Sequence, residues 1–285
     1  MNTTARLLIA CPDRPGIVAA VTGFLFQHGA NITDLDQHST DPSGGTFFMR
    51  LEFQTPGLDV SAPALERGFS ANVAARFSMV WSLNLASRRR KMALFVSRHD
   101  HALLELLWRC SRDELPAEIT AVISNHRDLE PAAQGFGVPF HYIPVEARNK
   151  AAAERKALDV LAQQTELIVL ARYMQVLSAE FVAHYPNRII NIHHSFLPAF
   201  AGADPYQQAY DKGVKLIGAT AHYVTAELDE GPIIEQAIAR VTHRDSVDDL
   251  KRLGRDLERQ VLARAVQWHL EDRIIVDGRK TIVFA

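Results

Sequence analysis

Apolar and polar residues follow two successive patterns along the chain. In the first, alternating runs and helical stripes take turns. Arg6-Leu7-Leu8-Ile9-Ala10-Cys11 is an apolar run that predicts a buried strand, and Pro12-Asp13-Arg14-Pro15-Gly16 breaks it. Ile17, Val21, Phe24, Leu25 and His28 then share one helical stripe, with Gly29 as a C-terminal stop. A second strand is expected from Asn31-Ile32 onward, and Asp41-Pro42-Ser43-Gly44-Gly45 is a turn signal. Beyond it Phe47, Met49, Leu51 and Phe53 alternate with Phe48, Arg50 and Glu52, which predicts a strand with one core face. Ser61 is a candidate cap for a helix that carries Leu65, Phe69, Val73 and Phe77 four apart. Met79, Trp81, Leu83 and Leu85 alternate as a fourth strand. The order β-α-β-β-α-β predicts a ferredoxin-like α+β fold.

The second pattern alternates short apolar strands with helices. Strands are expected over 92–96, 119–123, 140–143, 167–170 and 188–191, and helices over 101–108 and 151–161. Such alternation predicts an α/β domain with a mostly parallel sheet, Rossmann-like, covered by helices. A late strand pair over 217–224 and 232–241 flanks a loop at Asp229. Ser246 with Asp249 forms a capping box for a long helix with Val247, Leu250, Leu257, Val261, Ala265 and Trp268 inward. Between the patterns, Ser87-Arg88-Arg89-Arg90-Lys91 reads as a solvated linker rather than a nucleic-acid patch. The expected division is 1–86, a linker over 87–91, and 92–285.

Bulk properties add exclusions. A chain of 285 residues, 47% hydrophobic and 22% charged, suits a globular protein of two domains. A net charge of −2 offers no attraction for nucleic acid. Cys11 and Cys110 are the only cysteines, so no disulfide framework is expected and a reducing cytoplasm is the natural setting. No run is long enough to span a membrane, and no signal peptide is evident at the start.

The chemistry gathers where strands end. In open α/β sheets, function collects at the carboxyl ends of the strands. Asn191 and His193 lie at such an end and, two residues apart, point the same way. An amide donor can stabilise an oxyanion, and an imidazole can move a proton near neutral pH. Asp229, in Leu228-Asp229-Glu230-Gly231-Pro232, is a candidate third member. Taken singly, each of these residues reads more readily as a strand-end amide, a loop histidine and a turn aspartate; it is their combination that points to catalysis. His193, His194, His222 and Asp204 could gather round a metal, but there is no His-Glu-x-x-His helix and no cysteine cluster, so no metal is expected. Gly135-Phe136-Gly137 is too short for a dinucleotide loop, no Walker sequence occurs, and no cofactor is expected.

Two resemblances sharpen this reading. Asp13-Arg14-Pro15-Gly16-Ile17-Val18 with Gly29-Ala30-Asn31-Ile32 resembles an ACT domain over roughly residues 5 to 86. That resemblance implies a regulatory module that pairs with copies of itself as a homo-oligomer, a dimer or tetramer. It also implies an amino-acid effector near Asp13, Pro15, Gly16, Asn31 and Ile32. Gly16 lets the backbone approach a small molecule, and helix N-terminal amides favour a carboxylate. Alternatively Pro15-Gly16 is only a helix start and the module only oligomerises.

Asn191-x-His193-x-Ser195-x-Leu197-Pro198-x-Phe200-x-Gly202, with the Asp229 loop, resembles the folate-dependent formyltransferase family over about residues 90 to 285. That implies Asn191 as oxyanion donor, His193 as general acid/base and Asp229 as its orienter. It also implies a folate pocket from Arg172, Met174, Gln175, Val176, Leu177 and Ser195, closed by Thr225 and Leu228. For Met174 and Val176, ordinary core packing is an equal alternative. The transformylases of this family place glycines after the first strand to cradle a phosphate. Here Ser97-Arg98-His99-Asp100-His101 contains none. Together with the ACT-like module this resembles the deformylating branch, which implies hydrolysis of 10-formyltetrahydrofolate and a link to formate supply for purine synthesis. Gln207 stands where the resemblance implies His. The alternatives are a formyltransferase acting on an amine, and a non-catalytic folate or amino-acid sensor.

Overall fold

The computed structural model describes residues 4–41, 43–162, 165–198 and 204–285. They divide into two units. One runs to Arg89 and also takes in Glu271–Ile275 and Ile282–Ala285; the other comprises Arg90–Leu270 with Val276–Thr281. The division by sequence assigned everything after 92 to one domain. The C-terminal segments instead join the first unit, and nothing in their own composition marks that return.

The first unit follows the expected order. Strands β1 (Thr4–Pro12), β2 (Asn31–Ser39), β3 (Thr46–Gln54) and β4 (Val80–Leu85) form an antiparallel sheet in the order β2-β3-β1-β4. Helix α1 (Ile17–Gln27) and helix α2 (Ala62–Phe69) cover one face. The latter continues through a π-helical turn, Ser70–Ala74, into the short α3 (Ala75–Phe77). Ile9, Leu51 and Phe53 from the sheet meet Val21, Leu25, Leu65 and Phe69 from the helices in one core. His28 lies just past the end of α1 rather than on its stripe, with Nδ1 2.9 Å from Asp59. Pro42 and the motif residues Phe200 and Gly202 lie outside the described residues.

One expectation fails informatively. Phe48 and Arg50 should have faced solvent, yet both are 1% exposed. Arg50 Nε donates to the Asp272 carbonyl at 2.9 Å and Nη2 to the Glu271 carbonyl at 3.2 Å. Its Nη1 reaches Asp34 at 3.0 Å. The segment that returns from the chain's end therefore supplies the acceptors that let a guanidinium be buried.

In the second unit, β5 (Arg90–Val96), α4 (His101–Ser111), β6 (Ala117–Ser124), α5 (Glu130–Gly135) and β7 (Phe140–Tyr142) come first. Then come α6 (Lys150–Leu161), β8 (Leu167–Leu170), α7 (Ala179–Ala183), β9 (Ile189–His193) and α8 (Pro205–Asp211). The basic run thus leads straight into β5. Strands β10 (Leu216–Tyr223) and β11 (Ile233–Arg240) precede helix α9 (Val247–Leu270) and a closing hairpin, β12 (Ile274–Asp277) and β13 (Lys280–Val283). The sheet runs β11-β10-β9-β8-β5-β6-β7, parallel from β9 to β7, with β10 and β11 antiparallel. From β5 the chain builds outward to β7, then crosses back to place β8 on the other side. The carboxyl ends of β5 and β8 therefore form a switch point, where open α/β sheets leave a crevice.

Helix α9 opens with the expected capping box. Ser246 Oγ accepts from the Asp249 amide at 3.2 Å, and Asp249 returns a carboxylate to the Ser246 amide at 3.0 Å. Leu250, Val261 and Ala265 are buried as expected, but Gly254 and Glu258 share that face. A Cβ at Gly254 would lie 1.9 Å from the Tyr206 hydroxyl and 2.3 Å from its Cζ. Tyr206 is buried and donates to Glu258 Oε1 at 2.8 Å, so its ring cannot swing away freely. Helix propensity favours alanine over glycine by about 1 kcal/mol. Overpacking costs about 1–3 kcal/mol and here also strains a buried hydrogen bond, so packing should prevail. Gly254→Ala is expected to lower the urea midpoint of unfolding; a higher midpoint would mean that the ring yields without penalty.

Candidate active site

The antiparallel register of β9 and β10 sets the geometry. His193 is the last residue of β9, opposite Thr220, and Asn191 lies opposite His222. Asn191 Nδ2 is 3.2 Å from His222 Nε2. The His222 Nδ1 lies 2.9 Å from the Tyr223 carbonyl, a contact only an N–H can make favourably, so Nδ1 carries a proton. Asp229 completes the group: Oδ2 is 3.3 Å from His193 Nδ1 and Oδ1 is 3.6 Å from His222 Nε2. The facing His193 ring first, and then His222, hold its carboxyl well below the usual carboxylate range. Asp229 reaches both rings because its backbone is left-handed, φ 56°. Gly231 is required two residues on, since a Cβ there would lie 1.7 Å from the Tyr223 carbonyl oxygen.

His193 is 6% exposed, and its Nε2 has no hydrogen-bond partner among the described residues. With Nδ1 facing Asp229, that nitrogen remains for proton transfer. Burial first, and the nearby Arg172 charge second, push the neighbouring His194 down to about 3. It stays neutral in ordinary buffers. No group of three or more metal-binding side chains occurs among the described residues.

These residues line a cavity of about 300 Å³ at the carboxyl ends of β8 and β9. Arg172, Met174, Gln175, Val176 and Leu177 form one wall, and Thr225 and Leu228 lie in the loop on the other. Met174 and Val176 are each 52% exposed and Leu228 64%, so the core alternative for the first two does not hold. Ser97 pins the wall: its Oγ accepts from the Met174 amide at 3.0 Å and donates to Asn125 Oδ1 at 2.7 Å. Ser195 departs from expectation. It is buried away from the cavity lining, with its carbonyl accepting from Thr220 Oγ1 at 2.9 Å. Gln207 is outside the lining too, donating to Asp211 on α8. In the sequence His222 stands out as one of several residues that could gather round a metal, not as a member of the catalytic group. Only the cross-strand register with Asn191 shows that it belongs there.

The first unit has its own cavity, of about 480 Å³, lined by Asp13, Pro15 and Gly16 together with Gln37, His38 and Ser39. Gly16 has φ 94°, as a tight approach to the start of α1 requires. Asn31 and Ile32 lie at the beginning of β2 and do not line this cavity. Of the five candidate effector positions, Asp13, Pro15 and Gly16 thus share one cavity and Asn31 and Ile32 lie apart from it.

Comparisons with known proteins agree with this architecture. Residues 90–266 match the formyl transferase family and residues 5–67 match the ACT domain. A formyltetrahydrofolate deformylase of Bacillus subtilis is 56% identical over 280 residues, covering 98% of this chain and 93% of that protein. The crystal structure of a formyltetrahydrofolate deformylase from Pseudomonas syringae superposes with a TM-score of 0.96 at 46% identity, covering 99% of this chain and 94% of that one. A glycinamide ribonucleotide transformylase from Symbiobacterium toebii matches 69% of this chain and 95% of its own, with a TM-score of 0.65 at 33% identity. With the whole length matched and both parts of the chain accounted for, the chain belongs to the formyltetrahydrofolate deformylase family, an ACT domain followed by a formyl transferase domain.

Proposed function

We propose that the chain hydrolyses 10-formyltetrahydrofolate to formate and tetrahydrofolate. The observation that carries this reading is the convergence of Asn191, His193 and Asp229 on one cavity with an exposed apolar wall. Met174, Val176 and Leu228 suit a flat heterocycle, which would bring the formyl group against the polar end. Water adds its oxygen to the formyl carbon, and the carbonyl electrons move onto oxygen. The Asn191 amide donates to that oxyanion; loss of one such donor costs about 100- to 1000-fold in rate. Collapse breaks the C–N bond. One proton of the water passes through His193 Nε2 to the leaving nitrogen, and the other leaves formic acid, yielding formate. Asp229 holds the opposite edge of the imidazole and compensates its charge while it carries the proton.

The loop after β5 favours water over an amine as acceptor. It holds no glycine, and its groups are already engaged: Ser97 with Asn125 and the Met174 amide, and His101 with Glu258 at 2.8 Å. Without glycine, the backbone there is poorly suited to the close approach that cradles a sugar phosphate. The catalytic groups need no metal or organic cofactor. The ACT-like unit would bind a small effector, an amino acid being the natural class, and would pair subunits. The natural setting is the cytoplasm, where formate release would feed purine synthesis.

Full-length protein with 10-formyltetrahydrofolate alone should release formate and tetrahydrofolate in equal amounts. Turnover only after an amine is added would make the protein a transferase. Asp229→Asn should fold and bind folate while hydrolysing at least about 100-fold more slowly, by analogy with loss of a triad orienter; near-normal turnover would remove Asp229 from the mechanism. Because its carboxyl is held low, the stability Asp229 contributes is fully present above about pH 4 and fades as the pH falls further. Thermal midpoints should therefore differ more between wild type and Asp229→Asn at pH 7 than at pH 3. Equal differences at both pH values would contradict the hydrogen-bonded carboxylate.

A further inference from the structure

Behind the reacting groups lies a buried cluster that the mechanism above does not use. Glu258, on α9, is 1% exposed. Its Oε2 lies 2.8 Å from His101 Nε2, and its Oε1 accepts from the Tyr206 hydroxyl at 2.8 Å. Burial opposes its charge, but the His101 hydrogen bond, the Arg172 charge and the Tyr206 hydrogen bond together hold the carboxyl below its ordinary range. The third neighbour, Arg172, is the anomaly. Its Nε lies 3.5 Å from Glu258 Oε2, an ion pair without a hydrogen bond. Nε and Nη1 are buried and reach no acceptor among the described residues, although Arg172 is 9% exposed and lines the cavity beside His193 and His194.

A guanidinium so placed is compensated in charge but not in hydrogen bonding. Buried donors without partners are rare, and each costs free energy that an incoming acceptor would recover. The Glu258 oxygens are already engaged by His101 and Tyr206 and do not offer Arg172 a two-point contact. Arg172 also holds a left-handed backbone, φ 65°, which a non-glycine residue adopts only where its surroundings impose it. Nε and Nη1 lie on different edges of the guanidinium; the end edge, Nη1 with Nη2, is the planar fork that matches the two oxygens of a carboxylate. Hydrolysis of a neutral formamide creates one small planar carboxylate in this cavity.

We propose that Arg172 forms an anion subsite that takes up the formate product before it leaves. The inference rests on the hydrolytic reading, since a transferase would release no formate. Arg172 draws the newly formed carboxylate from the oxyanion position and away from His193. Glu258 limits how tightly it is held: a second negative charge beside the guanidinium keeps formate from becoming trapped.

The test is a titration of full-length protein with [13C]formate, followed by NMR line broadening without folate, together with formate inhibition of turnover. Wild type should bind formate saturably. Arg172→Met should weaken binding by about tenfold or more, the range for a charge-assisted hydrogen bond. Arg172→Lys, which keeps the charge and loses the fork, should fall between. Glu258→Gln should tighten binding, opposite to the effect of the arginine variants, whereas general structural damage would weaken it. If Arg172→Met fails to fold, Arg172→Lys and Glu258→Gln carry the comparison. No saturable binding by wild type, or unchanged affinity in the folded variants, overturns the subsite and leaves the hydrolytic reading standing. Saturable formate binding without formate release in the turnover assay would overturn the hydrolytic reading and formate's role as product.

Discussion

The Asp229 carboxylate lies 3.3 Å from one imidazole and 3.6 Å from another, and neither histidine is free to come to it. Both sit on strands of a sheet, fixed by a ladder in which a slip of one residue would turn every side chain to the opposite face. The loop must therefore do the fitting. It does so with a left-handed residue at Asp229 and a glycine at 231, where the backbone passes too close to Tyr223 for any side chain. The Asn191 amide is placed by the same arrangement, because His222 contacts both Asp229 and Asn191. Rigid strands and one strained loop thus bring an amide, two imidazoles and a carboxylate together without any long, flexible side chain. That economy limits the conformational entropy lost when the site is formed.

Two acidic side chains near the site carry charge into low-dielectric surroundings by different means. Asp229 is partly open to the cavity and faces two histidines. Glu258 is fully enclosed and is matched by a histidine, a tyrosine and an arginine. A buried carboxylate is tolerable only when its partners repay the loss of water. Here His101 comes from α4, Tyr206 from α8, Arg172 from the segment after β8 and Glu258 from α9. Their meeting ties four stretches of the second unit together directly behind the cavity.

Much of this was legible in the chain, and the exceptions share a physical cause. Period-two and helical stripes depend on local geometry, so the β-α-β-β-α-β order and the alternating second half could be read directly. The expected strand over 188–191 became Ile189–His193, which moved His193 to the very end of β9. The capping box of Ser246 and Asp249 was also local and was found as expected. What escaped was long-range. Arg50 looked like a solvent-facing residue because its acceptors stand 222 positions away in the chain. Glu258 is not on the inward stripe expected for its helix, since nothing near it in sequence announces His101, 157 positions earlier. Ser195 shares a motif with Asn191 and His193, but it lies beyond the end of β9 and no longer follows the strand's alternation, so its side chain is absent from the cavity.

The burial of Arg50 bears on how the chain comes to be made. A ribosome emits the strands and helices of the first unit long before it emits Glu271 and Asp272, whose carbonyls satisfy that guanidinium. Until those residues emerge, the guanidinium faces only Asp34 and Glu52, which precede them in the chain. A polypeptide cut before Glu271 would leave this guanidinium without the two carbonyl acceptors that help it bear burial.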